Sequence, residues 1–465
     1  QSMAKGFAVP LESKLHERAN WGAPVLITTK KGRQAMNLKQ LLSLMLMLSL
    51  AVGAHASDVD NYQGSWSDRA LSLQRDLGDF TPLGQATFLG THNSYNSAAY
   101  SSAVRYVDPN QSRSIRDQLR MDVRALEFDL HTYFSMQGWF WDWGKELLLC
   151  HGQDNHAGCS SYDRTFSQGL REIRDWLDQP ENRDEVILLY LEDHIDGGWY
   201  DDAITDLDHY LGDRIYRPEG SGCQGIPMDQ SRSEILARGK QVILVTDGCA
   251  NGFSSWVHGG VGDYTHGYPT TSVEDLGGYP HCATDQFNRA FQDQHILRIN
   301  EDRTNLSNTF SEPGEPITPA ALRTMMQCGI NLAGMDKLTP WDGRLKAAVW
   351  SWNRGEPNNA GSGEDCAEHL FTGRFNDASC STQRRFACKK PGSHDWYITA
   401  DAGTWSQGEQ LCREETNGSH VFSVPTNGFQ NQQLKEAKEY HGSVGKVWLN
   451  YSDRMNEGEW VPGNP

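Results

Sequence analysis

The sequence of 465 residues has little positive charge. It contains 42 Lys and Arg residues against 60 Asp and Glu residues, which gives a formal net charge of −18 at pH 7. A nucleic-acid partner is excluded because a protein that binds a polyanion needs a basic surface. The same deficit means that charge alone cannot hold this protein on an acidic membrane.

Two further patterns are missing from the sequence. The ten cysteines show neither paired CxxC motifs nor a Cys/His spacing typical of zinc sites. No segment after residue 56 is long and apolar enough to cross a bilayer. The composition is that of an ordinary globular protein, with 38% hydrophobic and 22% charged residues. The length is sufficient for two or three domains.

The segment 36–56 has the pattern of a secretory signal peptide. A short basic region at Met36 precedes an uncharged Leu/Met-rich run and the small-residue cleavage site Ala54-His-Ala56. We expect the mature protein to begin after this segment and to be secreted, either to the periplasm or outside the cell; a buried helix is the alternative. Residues 1–35 would then be an upstream extension, disordered or not native. Export would expose the cysteines to oxidising conditions, where their even number permits complete pairing.

Apolar, strand-like runs alternate with amphipathic helical stretches from about residue 66 to residue 350. This alternation predicts an α/β fold, a TIM-type (β/α)8 barrel, over residues 57–352. The predicted helices include Phe166–Gln179, Trp199–Leu211 and Thr318–Cys328. The later predicted strands are Gln241–Thr246, His295–Asn300, Ile330–Met335 and Leu345–Trp350.

Four successive runs end in polar residues of catalytic type, namely His92, Asn93, Glu127, Asp129, His151 and Glu192. In a parallel barrel, catalytic groups come from the C-terminal ends of the strands, so these side chains would converge on one face. Two histidines, three carboxylates and an amide suit acid–base chemistry around a hard, oxygen-preferring metal ion. A single histidine at a strand end is more often structural, but four such strand ends favour a functional site.

The motifs at these strand ends read Gly90-Thr-His92-Asn93-Ser94, Arg124-Ala-Leu-Glu127-Phe-Asp129, Cys150-His151-Gly152 and Ile187-Leu-Leu-Tyr-Leu-Glu192-Asp193-His194. In this order they resemble the catalytic half of calcium-dependent phosphoinositide-specific phospholipase C of the secreted, bacterial type. Metal-independent bacterial relatives carry an arginine where this chain has the Glu-x-Asp pair. The resemblance implies a catalytic Ca²⁺ bound by Asn93, Glu127, Asp129 and Glu192, and two catalytic histidines, His92 and His151.

The resemblance also implies a reaction in which the inositol 2-hydroxyl attacks phosphorus, which releases diacylglycerol and a cyclic inositol phosphate. A cation beside both groups would polarise the hydroxyl and neutralise the phosphoryl oxygens. We expect Glu127 to accept the hydroxyl proton and His92 to donate a hydrogen bond to the phosphoryl oxygen. His151 would protonate the leaving alkoxide, because an imidazole with a reference pKa of about 6.5 exchanges protons near neutral pH.

The strand that corresponds to residues 239–248 carries lysines for the ring phosphates in the phosphoinositide-preferring relatives. Here the matching stretch Leu244-Val-Thr-Asp247 has no cation. We therefore expect unmodified phosphatidylinositol to be preferred over its bisphosphate, and Asp247 to contact a ring hydroxyl.

Six aromatic residues lie within the eleven positions from Tyr133 to Trp143. Because Trp and Tyr favour the membrane interface, a ridge beside the site could dip into lipid. The expected membrane contacts are Trp139, Phe140, Trp141 and Trp143. A hairpin packed on the rim of the barrel is the alternative.

After Trp350 the composition shifts to Gly, Asn and Ser. The segments Glu356-Pro-Asn358-Asn-Ala-Gly-Ser-Gly-Glu364-Asp-Cys366, Phe375-Asn376-Asp377 and Arg385-Phe-Ala-Cys388 resemble the second half of a C-type lectin domain, and 396–460 resembles its first half. We predict that 353–465 forms one α+β, circularly permuted lectin-like domain; two truncated, non-binding remnants are the alternative.

The lectin resemblance implies a mannose-type calcium site that is formed by Glu356, Asn358, Glu364, Asn376 and Asp377. A structural loop without sugar function is the alternative, because fold alone does not fix function. The resemblance also pairs Cys366 with Cys380 and Cys388 with Cys412. In the barrel, proximity favours a disulfide between Cys150 and Cys159.

The sequence thus predicts a secreted, monomeric, calcium-dependent phosphatidylinositol phospholipase C in peripheral contact with membranes, with a lectin-like domain that could take a mannose-type glycan. Two other functions stay open. The first is a glycerophosphodiester phosphodiesterase or sphingomyelinase-D-like hydrolase, which also uses two histidines and acidic metal ligands. The second is a calcium-dependent, sugar-binding adhesin with an inactive barrel.

Overall fold

The structure is a computed structural model. It describes residues 58–136, 143–152, 155–220, 222–247, 251–259, 270–282, 294–305, 316–361, 363–442 and 445–463. All of them belong to one compact unit, His55–Pro465. The predicted upstream extension and signal peptide, the aromatic residues Trp139, Phe140 and Trp141, and the side chain of Trp143 lie outside the described part.

The larger sheet is parallel along its main path. Its strands are β1 (Phe88–Thr91), β2 (Ala125–Met136), β3 (Trp143–Leu149), β4 (Arg164–Thr165), β5 (Ile187–His194), β6 (Val242–Thr246), β7 (His258–Gly259), β8 (Thr270–Thr271), β9 (Arg298–Asn300) and β10 (Leu332–Met335). The spatial order is β7-β6-β5-β2-β1-β10-β9-β8, with β3 and β4 off this path. Since β1 pairs with β10, the sheet curls as a parallel barrel does. Within the described ranges no ladder joins β7 to β8.

Seven α-helices of five residues or more, from Trp66 to Ala348, accompany the described part of this sheet. They are α1 (Trp66–Leu77), α2 (Ile115–Leu119), α3 (Phe166–Leu177), α4 (Tyr200–Tyr210), α5 (Arg232–Ala237), α6 (Pro319–Cys328) and α7 (Gly343–Ala348). In α3, Thr165 and Gln168 form a reciprocal capping box, and Phe166, Leu170, Ile173 and Trp176 are buried. The three helices expected from the sequence are thus present. In the described ranges, no helix has the length and apolar character needed to span a bilayer.

Two expectations about strands are wrong. Leu345–Trp350 is not a strand, because Gly343–Ala348 forms α7 behind an Asp342 N-cap. This helix is held by buried Arg344, which pairs with Glu301. The run that ends at His151 is also not a parallel barrel strand: β3 runs antiparallel to β2, with Leu149 opposite Leu130. The two form a hairpin because β2 continues beyond the rim of the barrel.

A second sheet occupies the C-terminal part. Its strands are β11 (Cys366–His369), β12 (Phe375–Ala378), β13 (Arg385–Lys389), β14 (Trp396–Ile398), β15 (Val421–Phe422), β16 (Val447–Ser452) and β17 (Val461–Pro462), accompanied by α8 (Gly408–Glu415) and α9 (Gly428–Tyr440). β16 lies between β11 and β13, so the segments before and after residue 390 share one sheet. Cys366 is bonded to Cys380 and Cys388 to Cys412, the pairs that the lectin resemblance implies.

The C-terminal sheet packs directly on the barrel. Buried residues from Leu71 in α1 to Tyr451 in β16 belong to one continuous hydrophobic cluster. Trp66 Nε1 donates to the carbonyl oxygens of Asn353 and Glu356, both at 3.0 Å. The loop that begins at Glu356 is therefore anchored to the first barrel helix.

Candidate active site

The polar residues predicted at the strand ends lie together at the C-terminal edge of the parallel sheet. Glu127 and Asp129 stand two positions apart on β2 and share a face. In the parallel register Asp129 is the partner of Glu192 on β5. The antiparallel hairpin returns the chain to this edge, where the Cys150 amide donates to the Asp129 carbonyl at 3.3 Å. His151 therefore reaches the site although its strand is not part of the barrel.

The amide of Asn93 lies between the two predicted catalytic histidines. Hydrogen bonding favours an orientation in which its nitrogen donates to the Asp129 oxygens at 2.8 and 3.0 Å. Its oxygen then accepts from His92 Nε2 at 3.3 Å and from His151 Nδ1 at 3.2 Å. The backbone of Asn93 has φ of 46°, a left-handed conformation that asparagine tolerates better than most residues. The turn after β1 thus places the Asn93 amide where both imidazoles contact it.

His92 is held in its protonated form. Its Nδ1 lies 3.3 Å from Asp336 Oδ1, and Asp336 is fully buried after β10. Burial by itself lowers the pKa of His92. The charge of Glu127 and the hydrogen bond to Asp336 outweigh burial and raise that pKa to about 10. At neutral pH His92 therefore carries a proton on Nε2 as well, which faces the site.

His151 is the accessible member of the histidine pair, with 64% of its side chain exposed. Its Nδ1 lies 3.4 Å from Asp129 Oδ2. This hydrogen bond raises the pKa of His151, against the opposing effect of burial. An exposed imidazole whose pKa is raised holds a proton more readily and can deliver it to a leaving group that projects from the site.

Each of the three carboxylates has a hydrogen-bond donor of its own. Glu127 Oε1 pairs with Arg298 Nη1 at 3.1 Å, and its Oε2 accepts from Asn300 Nδ2 at 3.2 Å. In addition to Asn93 and His151, the Tyr95 hydroxyl donates to Asp129 Oδ2 at 2.7 Å. The third carboxylate, Glu192, lies with its Oε1 3.1 Å from His194 Nε2.

The donor chemistry of the site fits calcium. Three carboxylates and an amide oxygen are the hard ligands that Ca²⁺ prefers. Burial raises the pKa of Glu127 and of Asp129, and the charge of Glu192 raises both further, so a cation would relieve an excess of negative charge. The oxygens of the three carboxylates do not all lie within 4.8 Å of one another. To share an ion, they would have to turn from their present donors.

Sequence reasoning missed several residues of this site, of which Asp336, Arg298 and Asn300 matter most. A signal existed for two of them, because Asn300 and Asp336 end or follow apolar runs that the sequence assigns to strands. Gly334 on β10 makes room for Asn300: a Cβ there would lie 1.9 Å from Asn300 Oδ1. Arg298 gave no such signal, since its pairing with Glu127 depends on the curling of the sheet.

One other predicted contact, Asp247, lies at the same edge. Asp247 follows β6, is exposed, and accepts a hydrogen bond from the Asp193 amide at 3.0 Å. The β2–β3 hairpin leads towards the aromatic segment and exposes 59% of Phe134. The tip of the hairpin, with most of the expected membrane contacts, lies outside the described residues.

The C-terminal loop brings together only part of the predicted lectin calcium site. Asp377 Oδ2 accepts from the backbone amides of Asn358 and Asn359 at 2.8 and 2.6 Å. Glu356 Oε2 and Asp377 Oδ1 are buried without a hydrogen-bond partner among the described residues. Burial comes first among the causes, followed by the neighbouring Asp377 carboxylate, and together they raise the pKa of Glu356 to about 7.

The remaining predicted ligands of that loop are engaged elsewhere. Asn376 Nδ2 donates to Glu368 Oε1 at 3.2 Å, and Glu364 Oε2 accepts from the Ala360 amide at 2.8 Å. The loop faces α1 across a cavity of about 450 Å³, lined by Arg69, Asp76, Asn358 and Asp377 among others. Among the described carboxylates of this loop, Glu356 and Asp377 each keep a buried oxygen without a hydrogen-bond partner, and Asp453 beside the same cavity has a third.

Comparisons with known proteins identify the family to which the chain is related. A family model described as the Rv2075c PI-PLC-like domain matches residues 47–342. The uncharacterized proteins Rv2075c and MT2135 of Mycobacterium tuberculosis, strains H37Rv and CDC 1551, are each 34% identical to this chain over 412 residues. The alignment covers 84% of this chain and 81% of each relative.

Solved structures with a partial likeness include two phospholipases. Phosphatidylinositol-specific phospholipase C from Listeria monocytogenes is 15% identical, with a TM-score of 0.36, and the match covers 59% of this chain and 97% of that one. A calcium-dependent phosphoinositol-specific phospholipase C from a Gram-negative Pseudomonas species is 17% identical, with a TM-score of 0.33, covering 58% and 93%.

The matched family region contains every barrel residue that the sequence assigns to catalysis or to metal binding. A parallel, curled α/β sheet with paired histidines and carboxylates at one edge supports an enzyme of the phosphodiesterase type. The match also extends over more than half of the chain, and two relatives exceed 30% identity across most of their length. The chain therefore belongs to the Rv2075c PI-PLC-like family.

Proposed function

We propose that this protein is a calcium-dependent phospholipase C that cleaves phosphatidylinositol to diacylglycerol and a cyclic inositol phosphate. One observation carries the proposal: the imidazoles of His92 and His151 meet at the Asn93 amide, 3.3 and 3.2 Å away, beside three acidic side chains. Membership in a PI-PLC-like family supports the same reaction class.

The buried imidazole stabilises the charge that develops on phosphorus. Asp336 holds Nδ1 of His92, so Nε2 is the nitrogen that donates towards the site. A charged donor fixed in a buried position stabilises a phosphoryl oxygen more strongly in the transition state than in the substrate. The role of His92 is therefore a hydrogen bond to a non-bridging phosphoryl oxygen.

The proton transfers balance between two side chains. The inositol 2-hydroxyl oxygen forms a bond to phosphorus as its proton passes to Glu127, whose pKa is raised by burial. The bond from phosphorus to the glycerol oxygen breaks, and His151 gives its proton to that oxygen. His151 suits this step because it is the more exposed imidazole and diacylglycerol must leave towards the membrane.

The calcium ion would be held by Asn93, Glu127, Asp129 and Glu192. When bound, it would supply a positive charge that acidifies the hydroxyl and neutralises the phosphoryl group. Arg298 already provides one positive charge at Glu127. It keeps that buried carboxylate compensated whenever no other cation is near.

Exposed Asp247 favours a substrate without ring phosphates. An anion at this edge repels additional phosphate groups and can accept a hydrogen bond from a ring hydroxyl. We therefore expect phosphatidylinositol to be cleaved faster than its bisphosphate in mixed vesicles of equal total charge. Equal rates on the two lipids would contradict the headgroup preference but not the reaction class.

The proposal extends to the rest of the chain. The signal-like segment supports secretion of a monomer, and the aromatic hairpin supports peripheral contact with the lipid surface. The interleaved C-terminal sheet and its two disulfides support a circularly permuted lectin-like domain with calcium at Glu356 and Asp377. Retention on a mannose resin that chelation abolishes would test the glycan partner.

Product analysis tests the proposed reaction directly. The purified full chain is incubated with phosphatidylinositol vesicles and calcium, and the phosphorus-containing products are identified by ³¹P NMR. The expected early product is a five-membered cyclic inositol phosphate. A phosphate that stays on the glycerol side would instead indicate a sphingomyelinase-D-like or glycerophosphodiesterase-type reaction. Absence of any lipid cleavage together with mannose binding would indicate the adhesin.

A further inference from the structure

A second group of metal-ligating side chains lies next to His151. Cys150, Cys159 and His131 each offer one ligand atom, and these three atoms all lie within 4.8 Å of one another. The two cysteines are joined in a disulfide. His131 stands two positions after Asp129 on β2 and is fully buried. None of the three takes part in the proposed reaction.

The hydrogen bonds around His131 engage one of its ring nitrogens and leave the other without a partner among the described residues. Nδ1 of His131 lies 3.2 Å from Nδ1 of His156, and Nε2 of His156 lies 3.3 Å from Asp196 Oδ2. The Asp196 carboxylate can only accept, so a neutral His156 donates from Nε2 and accepts at Nδ1. His131 must then donate from Nδ1, which leaves a lone pair on Nε2. That buried Nε2 has no hydrogen-bond partner among the described residues.

The loop geometry places the sulfur of Cys159 and the imidazole of His131 on the same side of Gly152. A Cβ built at Gly152 would lie 3.0 Å from Cys159 Sγ and 3.2 Å from His131 Cε1. A side chain here would separate the two groups. The glycine therefore permits the close approach of loop and strand that a shared ligand requires.

The arrangement matches the requirements of zinc. Metal-bound histidines are neutral and donate their other N–H to an acceptor, and here that acceptor is a histidine backed by a carboxylate. Zinc takes thiolates at about 2.3 Å and imidazoles at about 2.0–2.1 Å in a tetrahedral shell. The two sulfur atoms and one ring nitrogen of His131 lie within 4.8 Å of one another, so small movements of the loop and of the imidazole would let all three residues bind one ion. In the disulfide the sulfur atoms are bonded to each other and cannot serve as thiolates.

We propose that reduction of the Cys150–Cys159 disulfide creates a zinc site formed by Cys150 Sγ, Cys159 Sγ and His131 Nε2. A dithiol reductant supplies two electrons and two protons: the S–S bond breaks, two thiols form, and the dithiol becomes a disulfide. Zn²⁺ then binds both sulfur atoms as thiolates, releases two protons, and accepts the lone pair of His131. The fourth position is taken by water. Zinc binding does not depend on phospholipase activity, so the two proposals can fail separately.

Cobalt serves as the spectroscopic probe of this site. The full chain is reduced with a phosphine, which competes less for metal than a dithiol, and titrated without oxygen. We expect one equivalent of Co²⁺ to give a thiolate-to-cobalt charge-transfer band with tetrahedral visible bands, and Zn²⁺ to displace it. The oxidised protein should give no such band. Near-ultraviolet circular dichroism checks that the reduced chain keeps its packed fold.

Variants separate this site from the other cysteines. C150S/C159S should lose the charge-transfer band, whereas C282S/C328S, which removes the other disulfide of the described barrel, should keep it. H156Q leaves all three ligands in place but weakens the support of His131, so we expect its affinity for cobalt to fall about 10- to 100-fold. An equal affinity of H156Q and wild type would contradict the role of His131.

Three other results would overturn the proposal. The first is a reduced wild-type chain without a thiolate band. The second is the same band in C150S/C159S, which would place the metal on other cysteines. The third is a band that appears only after the near-ultraviolet signal is lost, because the metal would then be bound by an unfolded chain.

Discussion

The two acidic clusters for which the sequence predicts calcium differ in how their carboxylates are satisfied. In the barrel, Glu127 is paired with Arg298, and the other two acidic groups accept from a tyrosine and a histidine. In the C-terminal loop, Glu356 and Asp377 share a buried space and leave an oxygen each without a partner. Each carboxylate of the first cluster has a protein donor even without a metal ion. The second needs either a proton or a cation.

This difference shows how one ligand type can serve two purposes. A carboxylate that is already compensated can exchange its partner during a reaction at little cost in stability, which suits catalysis. A buried carboxylate without a partner destabilises the fold until it is neutralised, which suits a structural ion. We therefore expect calcium to govern turnover in the barrel and thermal stability in the C-terminal part.

The largest expected effect concerns proton delivery on the barrel side. H151A should lower turnover of phosphatidylinositol by about 10²- to 10⁴-fold, because the diacylglycerol alkoxide needs an acid. The loss should be much smaller on an inositol phosphodiester with a nitrophenol leaving group, which departs without a proton. H209A, at an exposed histidine of α4, is the matched control. An equal loss on both substrates would show that His151 is not the acid.

The next effect tests the internal compensation of Glu127. R298M should lower the free energy of unfolding by about 3–5 kcal/mol in chelated buffer, because it removes the guanidinium partner of a buried carboxylate. Added calcium should recover part of this loss, since a cation can take the place of the guanidinium. The measurement is urea unfolding; R183M, at an exposed ion pair, is the control and should behave as wild type. If R298M had the same free energy of unfolding as wild type, the proposed difference between the barrel cluster and the C-terminal loop would be contradicted.

A smaller effect is expected from pH in the C-terminal loop. The pKa of Glu356 is raised to about 7 in the folded protein from an ordinary value of 4.5, so the folded state holds a proton that the unfolded chain releases in this window. Without metal, the melting temperature of the wild type should therefore fall as pH rises from 5 to 8. The melting temperature of E356Q should fall less over the same range. Calcium at pH 8 should stabilise the wild type more than E356Q. Identical pH profiles for wild type and E356Q, with E439Q as the surface control, would contradict this account.

The smallest effect concerns the headgroup. D247N should raise the KM for phosphatidylinositol by about 2- to 10-fold, the loss expected for one hydrogen bond, with kcat little changed. D247N should also reduce the preference for phosphatidylinositol over its bisphosphate, because a charge that repels the ring phosphates is removed. Steady-state kinetics on both lipids measures these changes. If D247N preferred phosphatidylinositol over its bisphosphate more strongly than wild type does, repulsion by Asp247 could not be the cause of that preference.

The sequence predicted those parts of the site that depend on local pattern. His92, Asn93, Glu127, Asp129 and Glu192 end strands whose apolar alternation is visible in the chain, so their common edge follows from a parallel sheet. Asp336 could have been added by the same argument. Arg298 could not, because its contact with Glu127 crosses 171 positions and depends on how the sheet closes.

The errors also have local causes. The run before His151 is apolar because it forms a hairpin with β2, and periodicity does not distinguish a hairpin strand from a barrel strand. Leu345–Trp350 reads as a strand, but the Asp342 cap and the Arg344–Glu301 pair favour α7. In the C-terminal loop, the fold-family pattern named five ligands, yet Asn376 faces Glu368 across the β11–β12 ladder.

Calcium dependence of turnover is the most direct test of the central claim. Diacylglycerol release from phosphatidylinositol vesicles is measured on protein stripped of divalent ions, before and after calcium is restored, with E192Q in parallel. We predict near-zero release after stripping, recovery on addition of calcium, and a much weaker calcium response in E192Q. Full-rate release from the stripped wild type would contradict the proposed role of the metal.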